Sequence, residues 1–208
     1  DYRPEQNVIL EGDRLMSTAI GFSEIKDDLV TVSPLTGLYT PKVDDLVIGK
    51  IISHSAMSWE VDINSCYSGM LPATDVFGRD FSSHSDDLSS KLHKGDLIVT
   101  RIVNSDKTRD PLLTISGREL GKIDAGELVY ISPSKVARLI GKRGSMIQMI
   151  ESGTNAQITI GQNGLIVISC DDSDGLLKAI KAVELVEEKA HVANLTDQIG
   201  EMLELKSD

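Results

Sequence analysis

The residues whose types and spacing most directly suggest chemistry are Gly141, Lys142, Arg143 and Gly144, a GxxG segment with two cations at its centre. Glycines lack a Cβ atom, so this backbone can approach another backbone closely. A helix that begins after such a loop offers free N–H groups and the positive end of its dipole to an anion. The combination suits about four nucleotides of a single strand, with the bases on the adjacent strand and helix. The alternative is a tight turn between two helices that binds no ligand.

The charge distribution supports a nucleic-acid ligand at this segment. The chain has a formal net charge of −11, which excludes a uniformly basic protein that coats DNA. Residues 134–150 nevertheless contain no acidic residue and four basic ones, namely Lys135, Arg138, Lys142 and Arg143. A phosphate ligand must overcome the overall repulsion at such a place. A solvated helix face is the alternative explanation for the same charges.

Composition and missing motifs argue against several other classes of protein. Aromatic residues make up only 4% of the chain, too few for heavy reliance on base stacking. Cys66 and Cys170 belong to no CxxC pair, so we expect no zinc ribbon and a reduced, cytoplasmic chain. We expect no membrane span or secretory signal, because no suitable apolar run is present. HExxH, GxSxG and P-loop motifs are absent, so we expect no enzyme, cofactor or metal, with a two-metal nuclease built from scattered carboxylates as the alternative.

Strand signals dominate the first 120 residues. Residues 1–40 contain short strands at 8–10 and 29–32, a piece too small to hold a core by itself. Residues 41–120 contain five short strands separated by turn signals, which predicts a small closed barrel. The strand segments of this barrel are 47–52, 59–63, 69–72, 97–103 and 112–115.

The pattern changes after Gly126 to the order βααββα. Ser132 to Ser134 offers a helix cap, and Gly153 is a plausible end for the helix that follows the GxxG segment. The Asn163-Gly164 pair predicts a type I′ turn between two strands. Apolar residues spaced 4, 3 and 3 at 176, 180, 183 and 186 predict one buried helix face. Residues 193–208 form an acidic tail that is either a further helix or frayed.

Three segments resemble known domains. Residues 126–190 resemble a KH domain of the βααββα type, with Ile140 and the GxxG segment at its signature. Residues 41–119 resemble an S1 domain, a five-stranded OB-type barrel, through segments 49–51, 59–63, 69–72, 94–96 and 113–116. The first forty residues, through segments 10–13 and 37–41, resemble the β-domain that precedes S1 in exosome cap proteins. The whole order resembles the RNA-binding cap subunit of the archaeal exosome of the Rrp-four type.

The resemblance implies a multidomain β + α/β fold. The expected parts are a small N-terminal β-domain (1–40), an S1 barrel (41–120), a KH domain (121–192) and a C-terminal tail (193–208). It also implies a non-catalytic subunit that captures single-stranded, adenine-rich RNA. Three copies would sit around the pore of a hexameric ring of RNase-PH-like subunits that degrades RNA 3′ to 5′ by phosphorolysis, alone or mixed with the cap subunit that carries a zinc ribbon.

The N-terminal domain is expected to hold the ring. Val8, Ile9 and Leu10 are the candidate docking residues, because an uncovered apolar strand invites aggregation. The alternative function is that of a structural or assembly protein whose KH domain packs against its neighbours without touching RNA.

The S1 segment departs from the pattern of RNA-binding S1 domains, which stack bases on aromatic residues. Met57, Glu60 and Pro72 stand at the corresponding places, and we expect Trp59 to point into the barrel. Tyr67 or Phe77 could substitute, although either could equally be packing. The remaining candidates for RNA contact in this domain are cationic or titratable, and they are His54, Lys91, Lys94, Arg101 and Arg109.

Overall fold

The computed structural model describes residues 2–5, 7–34, 37–78, 80–83, 86–106, 109–190, 192 and 194–203. The N-terminal part contains five short strands: β1 (Arg3–Pro4), β2 (Val8–Glu11), β3 (Arg14–Ser17), β4 (Gly21–Lys26) and β5 (Leu29–Pro34). β1, β5 and β4 form one sheet in that order, and β2 pairs with β3 in a hairpin. The strands predicted at 8–10 and 29–32 are confirmed. β3 escaped prediction because its side chains are mostly exposed, which removes the alternation that marks a half-buried strand.

A closed five-stranded barrel follows. Its strands are β6 (Leu46–His54), β7 (Ser58–Asp62), β8 (Ser68–Pro72), β9 (Leu97–Asp106) and β10 (Arg109–Thr114), with the short helix α1 (Ala73–Phe77) after β8. The order β10-β8-β7-β6-β9 closes through pairing of β9 with β10, and β11 (Gly121–Lys122) adds to β9. Trp59 is fully buried inside, as predicted, and its Nε1 donates a hydrogen bond to the carbonyl of Leu92 at 3.2 Å. An OB-type barrel is therefore present.

The C-terminal part has the predicted βααββα order. It contains β12 (Glu127–Tyr130), α2 (Val136–Ile140), α3 (Ser145–Thr154), β13 (Gln157–Ile160), β14 (Leu165–Ser169) and α4 (Ser173–Lys189). The strands form an antiparallel sheet in the order β12-β14-β13, and the helices share one apolar core with it. A further helix, α5 (Leu195–Met202), packs on α3 and α4, so the described part of the tail is helical.

Three local predictions in this part were wrong. Ser132 does not cap a helix, because its hydroxyl donates to the carboxylate of Glu187 at 2.6 Å. α3 runs through Gly153 and ends at Asn155, which takes the left-handed conformation with φ 54°. A type I′ turn needs positive φ at both central residues, but only Gly164 of the Asn163-Gly164 pair has it.

Residues 161–164 instead join the two large domains. Asn163 is fully buried; its Oδ1 accepts from the N–H of Ile48 at 3.3 Å, and its Nδ2 donates to the carbonyls of Ile48 and Ile63 at 2.7 and 2.9 Å. The N–H of Gln162 donates to the carbonyl of Leu46 at 2.8 Å. The turn thus uses backbone groups of β6 and of the segment just after β7. It fixes the KH domain on the barrel through buried polar contacts.

Candidate RNA-binding surfaces

The GxxG loop has a backbone that glycine makes possible. Gly141 ends α2 with φ 74°, Arg143 has φ 57° and Gly144 has φ 81° immediately before α3 begins. A Cβ atom on Gly141 would lie 2.8 Å from the backbone nitrogen of Met146. The loop therefore folds tightly against the first turn of α3, and a side chain at position 141 would force the two apart.

The two central cations of this loop face solvent. Lys142 and Arg143 are exposed, and within the described part of the chain neither side chain has a hydrogen-bond or ion-pair partner. Gly144 caps α3 without a side chain, so no side chain occupies the N–H groups of the first turn. Two cations and a helix N-terminus meet at one exposed place, which suits a phosphate.

An apolar surface adjoins the loop. Ile140 is 37% exposed at the end of α2, and Ile147 is half-buried in the first turns of α3. Apolar side chains next to a phosphate site offer a place for bases. The structure therefore brings Ile140, Gly141, Lys142, Arg143 and Gly144 together as one surface.

The structure places Lys135 elsewhere than the sequence suggested. Its Nζ donates to the Oε1 and to the main-chain carbonyl of Glu187, both at 2.7 Å. Its charge is therefore neutralised within the domain, and we assign it a structural role. Arg138 is exposed, with one long contact of 3.4 Å from Nη2 to the carbonyl of Val192, and remains available beside the loop.

The Lys135–Glu187 pair makes folding depend on pH. Burial alone raises the pKa of Glu187, but hydrogen bonds from Lys135 and Ser132 outweigh it and leave that pKa below its ordinary value. A carboxyl whose pKa is lower when folded stabilises the protein above its unfolded-state pKa, and this contribution is lost as pH falls through the folded value. We expect Glu187→Gln to cost stability at pH 7 but to flatten the acid side of the stability profile.

This expectation is checked by urea unfolding between pH 7 and about pH 3, a range that spans the ordinary carboxyl pKa. Glu188→Gln, on the neighbouring exposed side chain, is the matched control and should parallel the parent chain. Parallel curves for Glu187→Gln and the parent would show that the pair contributes nothing.

Three candidate residues of the barrel lie at the end of β6 and in the loop packed beside it. His54 is the last residue of β6, and the N–H of Gly95 in the 86–96 loop donates to the carbonyl of Ile51 in that strand at 2.8 Å. Lys91, in that loop, lies with its Nζ 5.9 Å from the ring centroid of Phe77. Lys94 is exposed in the same loop. We refer to His54, Lys91 and Lys94 as the basic rim of the barrel; the carboxylates of Asp87 and Asp96 belong to the same loop.

The other two cations of the barrel are separate. Arg101 donates from Nη1 to the carbonyl of Asp44 at 2.8 Å, so it is engaged with the segment that enters the barrel. Arg109 lines an open cavity of about 400 Å³ together with Met70, Asn104, Asp106, Asp110 and Leu112. Among the described residues that line it, the carboxylates of Asp106 and Asp110 oppose the guanidinium of Arg109.

At the candidate stacking positions that the structure describes, no aromatic ring is fully exposed. Met57 is exposed, and Glu60 accepts a hydrogen bond from the hydroxyl of Ser53 at 2.8 Å. Phe77 packs against the barrel core, with its ring 6.2 Å from that of Trp59, and Tyr67 is half-buried. The barrel can therefore contact RNA mainly through charge and methionine side chains.

Of the three candidate docking residues in the N-terminal domain, one is buried in the domain and two are exposed on its surface. Val8 is buried, whereas Ile9 and Leu10 are 48% and 60% exposed on β2. Other apolar side chains are also exposed in this domain, namely Tyr2, Met16, Ile20 and Ile25. The exposed apolar set, without Val8, is large for so small a domain.

Sequence reasoning missed the residues that orient these surfaces. The sequence predicts only a turn at Asn163 and an apolar helix face at 176–186; it does not predict the contacts of Gln162 and Asn163 with the barrel or of Glu187 with Lys135. The glycines at 161 and 164 were the available signal for Asn163, but its partners in β6 lie more than a hundred residues earlier. No local sequence pattern indicates that Glu187 pairs with Lys135.

Comparison with known proteins agrees with these domains. A KH domain model matches residues 126–185. The exosome complex component Rrp4 of Nitrosopumilus maritimus is 65% identical over 207 residues, which cover 100% of this chain and 92% of that protein. The Rrp4 of Thermofilum pendens is 41% identical, covering 98% of this chain and 86% of its own. A crystal structure of a protein described as a candidate exosome complex RNA-binding protein is 41% identical, has a TM-score of 0.77, and covers 81% of this chain and 96% of its own.

A small β-domain, an OB-type barrel and a KH domain with an exposed GxxG loop place the chain in the class of multidomain proteins that combine these three parts. Identity across the whole length then narrows the class. The chain belongs to the family of the exosome complex component Rrp4.

Two absences hold for the part of the chain that the structure describes. Within the described residues, none of the helices has the length and apolar character needed to span a bilayer. In the same part of the chain, His, Cys, Asp and Glu side chains do not gather in groups of three or more that could hold a metal ion.

Proposed function

We propose that this chain is a non-catalytic cap subunit of the archaeal exosome, acting in the cytoplasm. It captures single-stranded, adenine-rich RNA and guides it into the pore of a phosphorolytic ring of RNase-PH-like subunits. Three copies sit on each ring, alone or mixed with the cap subunit that carries a zinc ribbon. The exposed Lys142 and Arg143, between left-handed glycines and at the start of α3, are the observation that supports RNA capture.

The roles of the other residues follow from their surroundings. Arg138 and Ile140 extend the KH surface, and His54, Lys91 and Lys94 supply a basic rim on the barrel. Arg101 and Arg109 are weaker contributors, because a carbonyl holds the first and carboxylates surround the second. Each site is modest, but several copies around one pore raise the effective concentration of the RNA there. The attraction should weaken as salt increases.

Reversing the two loop charges tests the proposal. In the cap–ring complex, Lys142→Asp with Arg143→Asp should weaken oligo(A) binding at low salt about tenfold or more, because two phosphate contacts become repulsions. Titration of labelled RNA by fluorescence anisotropy measures the change. The isolated chain, given RNA, Mg²⁺ and phosphate, should leave the RNA uncut. Unchanged affinity would remove the loop from the mechanism, and turnover by the chain alone would remove the non-catalytic assignment.

The alternative is a KH domain that serves only as a packing module. The buried contacts of Asn163 with the barrel, and the exposed hydrogen bond of Gln162 beside them, favour it, because they show that one loop of this domain is structural. Among the described residues, no hydrogen bond of this kind joins the GxxG loop to the barrel, and the Lys142 and Arg143 side chains are exposed. A charge reversal that leaves RNA binding unchanged would support the packing role.

A further inference from the structure

Glu151 connects α3 to the open edge of the KH sheet. Its Oε1 accepts a hydrogen bond from the N–H of Ile158 at 3.0 Å. Among the described strands β13 pairs with β14 alone, and the N–H of Gly161 donates to the carbonyl of Leu165. Because hydrogen-bonded and non-hydrogen-bonded pairs alternate, the backbone groups of Ile158 and Ile160 point to the unpaired edge. Glu151 thus occupies one donor of this edge.

The second oxygen of this carboxylate is available to a ligand. Among the residues that the structure describes, Oε2 of Glu151 has no hydrogen-bond partner. Every buried side-chain nitrogen or oxygen in this part of the chain has such a partner, so the unpartnered Oε2 is accessible to solvent. The side chain is half-buried and its Oε1 is held in place. A carboxylate oxygen held in place accepts strong hydrogen bonds from N–H donors, and it repels another hydrogen-bond acceptor.

The position of Glu151 relative to the GxxG loop suits contact with a base. Gly144, Gln148 and Glu151 are spaced 4 and 3 along α3, so they lie on one face of the helix. Glu151 is six residues after Ser145 in α3, which places it about 9 Å farther along the helix axis. A strand whose phosphates lie at the loop can therefore place a base beside Glu151.

On the basis of the proposed function, we propose that Glu151 selects bases that carry an exocyclic amino group. Oε2 accepts a hydrogen bond from N6 of adenine or N4 of cytosine, and guanine also presents N–H donors. Uracil presents the acceptor O4 at the corresponding place, and two acceptors facing each other repel. The carboxylate thereby disfavours uracil-rich RNA.

Glu151→Gln tests this with little change of shape. The amide oxygen can still accept from Ile158, whereas an NH₂ donor replaces the acceptor that faces the base. The full chain is titrated at low salt with labelled decamers of A, C and U. The ratio of the U to the A dissociation constant should fall about tenfold, the effect of one hydrogen bond to a charged group. Glu184→Gln, an exposed substitution on α4 with the same charge change, should keep the parent ratio.

The outcomes separate this inference from the proposed function. A reduced preference in Glu151→Gln alone supports it. An unchanged ratio, or equal binding of A and U by the parent chain, overturns it when Lys142→Asp with Arg143→Asp still weakens binding. If Lys142→Asp with Arg143→Asp leaves the RNA affinity unchanged, the proposed function is overturned, and the inference about Glu151 is overturned with it.

Discussion

A chain that carries Ile9→Asp and Leu10→Asp should fail to co-purify with the phosphorolytic ring while its barrel and KH domain stay folded. Ile9 and Leu10 are 48% and 60% exposed on β2, so the substitutions leave in place Val8 and Val32, buried apolar residues of the same domain. At an apolar interface each would place a carboxylate where it loses water without gaining a partner. Burying even a neutral polar group without a partner costs about 1–3 kcal/mol in proteins, and an unpaired carboxylate costs more.

Co-expression with the ring subunits and size-exclusion chromatography measure this loss. Leu177→Asp is the matched control, because Leu177 is 54% exposed on α4 of the KH domain. It should co-purify as the parent chain does. Retention of the Ile9→Asp, Leu10→Asp chain by the ring would show that docking uses another surface, and deletion of residues 1–40 would then locate it inside or outside the N-terminal domain.

Asn163→Ala should destabilise the chain by about 3 kcal/mol and uncouple its two large domains. The substitution leaves the N–H and carbonyl of Ile48 and the carbonyl of Ile63 without their partner at a buried site. Each unsatisfied buried group costs about 1–3 kcal/mol, and partial access of water reduces the sum. Asn163→Asp should cost at least as much, because a carboxylate cannot donate to the two carbonyls.

The single tryptophan makes this uncoupling measurable. Trp59 lies inside the barrel, whereas α2 to α5 supply most of the helix, so fluorescence reports the barrel and far-UV circular dichroism reports the KH domain. In Asn163→Ala the two urea transitions should move apart. Gln162→Ala is the control: it removes one exposed hydrogen bond to Leu46 and should cost less than about 1 kcal/mol. Coincident transitions at the parent midpoint in Asn163→Ala would show that the turn does not join the domains.

The strand and helix order could be predicted because burial on one face leaves a period in the sequence. Ile158 and Ile160 alternate with polar neighbours, and Val183 and Val186 follow the helical stripe of α4. The errors arose where side chains make contacts that no local pattern shows. Ser132 suits a helix cap by type but bonds to Glu187, which is 55 residues away.

Candidate RNA-binding residues were easier to predict in the GxxG loop, which has a local motif, than on the barrel, where charge was the main guide. Lys142 and Arg143 could be predicted because their glycine frame is local, whereas Lys135 carries the same charge nearby yet is neutralised by Glu187. On the barrel, five candidates were chosen by charge alone. Folding brings His54 to the loop of Lys91 and Lys94, but it ties Arg101 to a carbonyl and sets Arg109 among carboxylates.

The domain order, the barrel, the KH fold and the place of the GxxG segment in the chain could be predicted from the amino-acid sequence, because each depends on periodicity or on glycine at a fixed position. Folding decided that the two loop cations are exposed, that Asn163 joins the domains, that Lys135 is already paired and that Glu151 stands at the edge of β13. The last three depend on which distant polar groups meet when water is excluded, and a buried donor or acceptor takes whatever partner the packing brings to it.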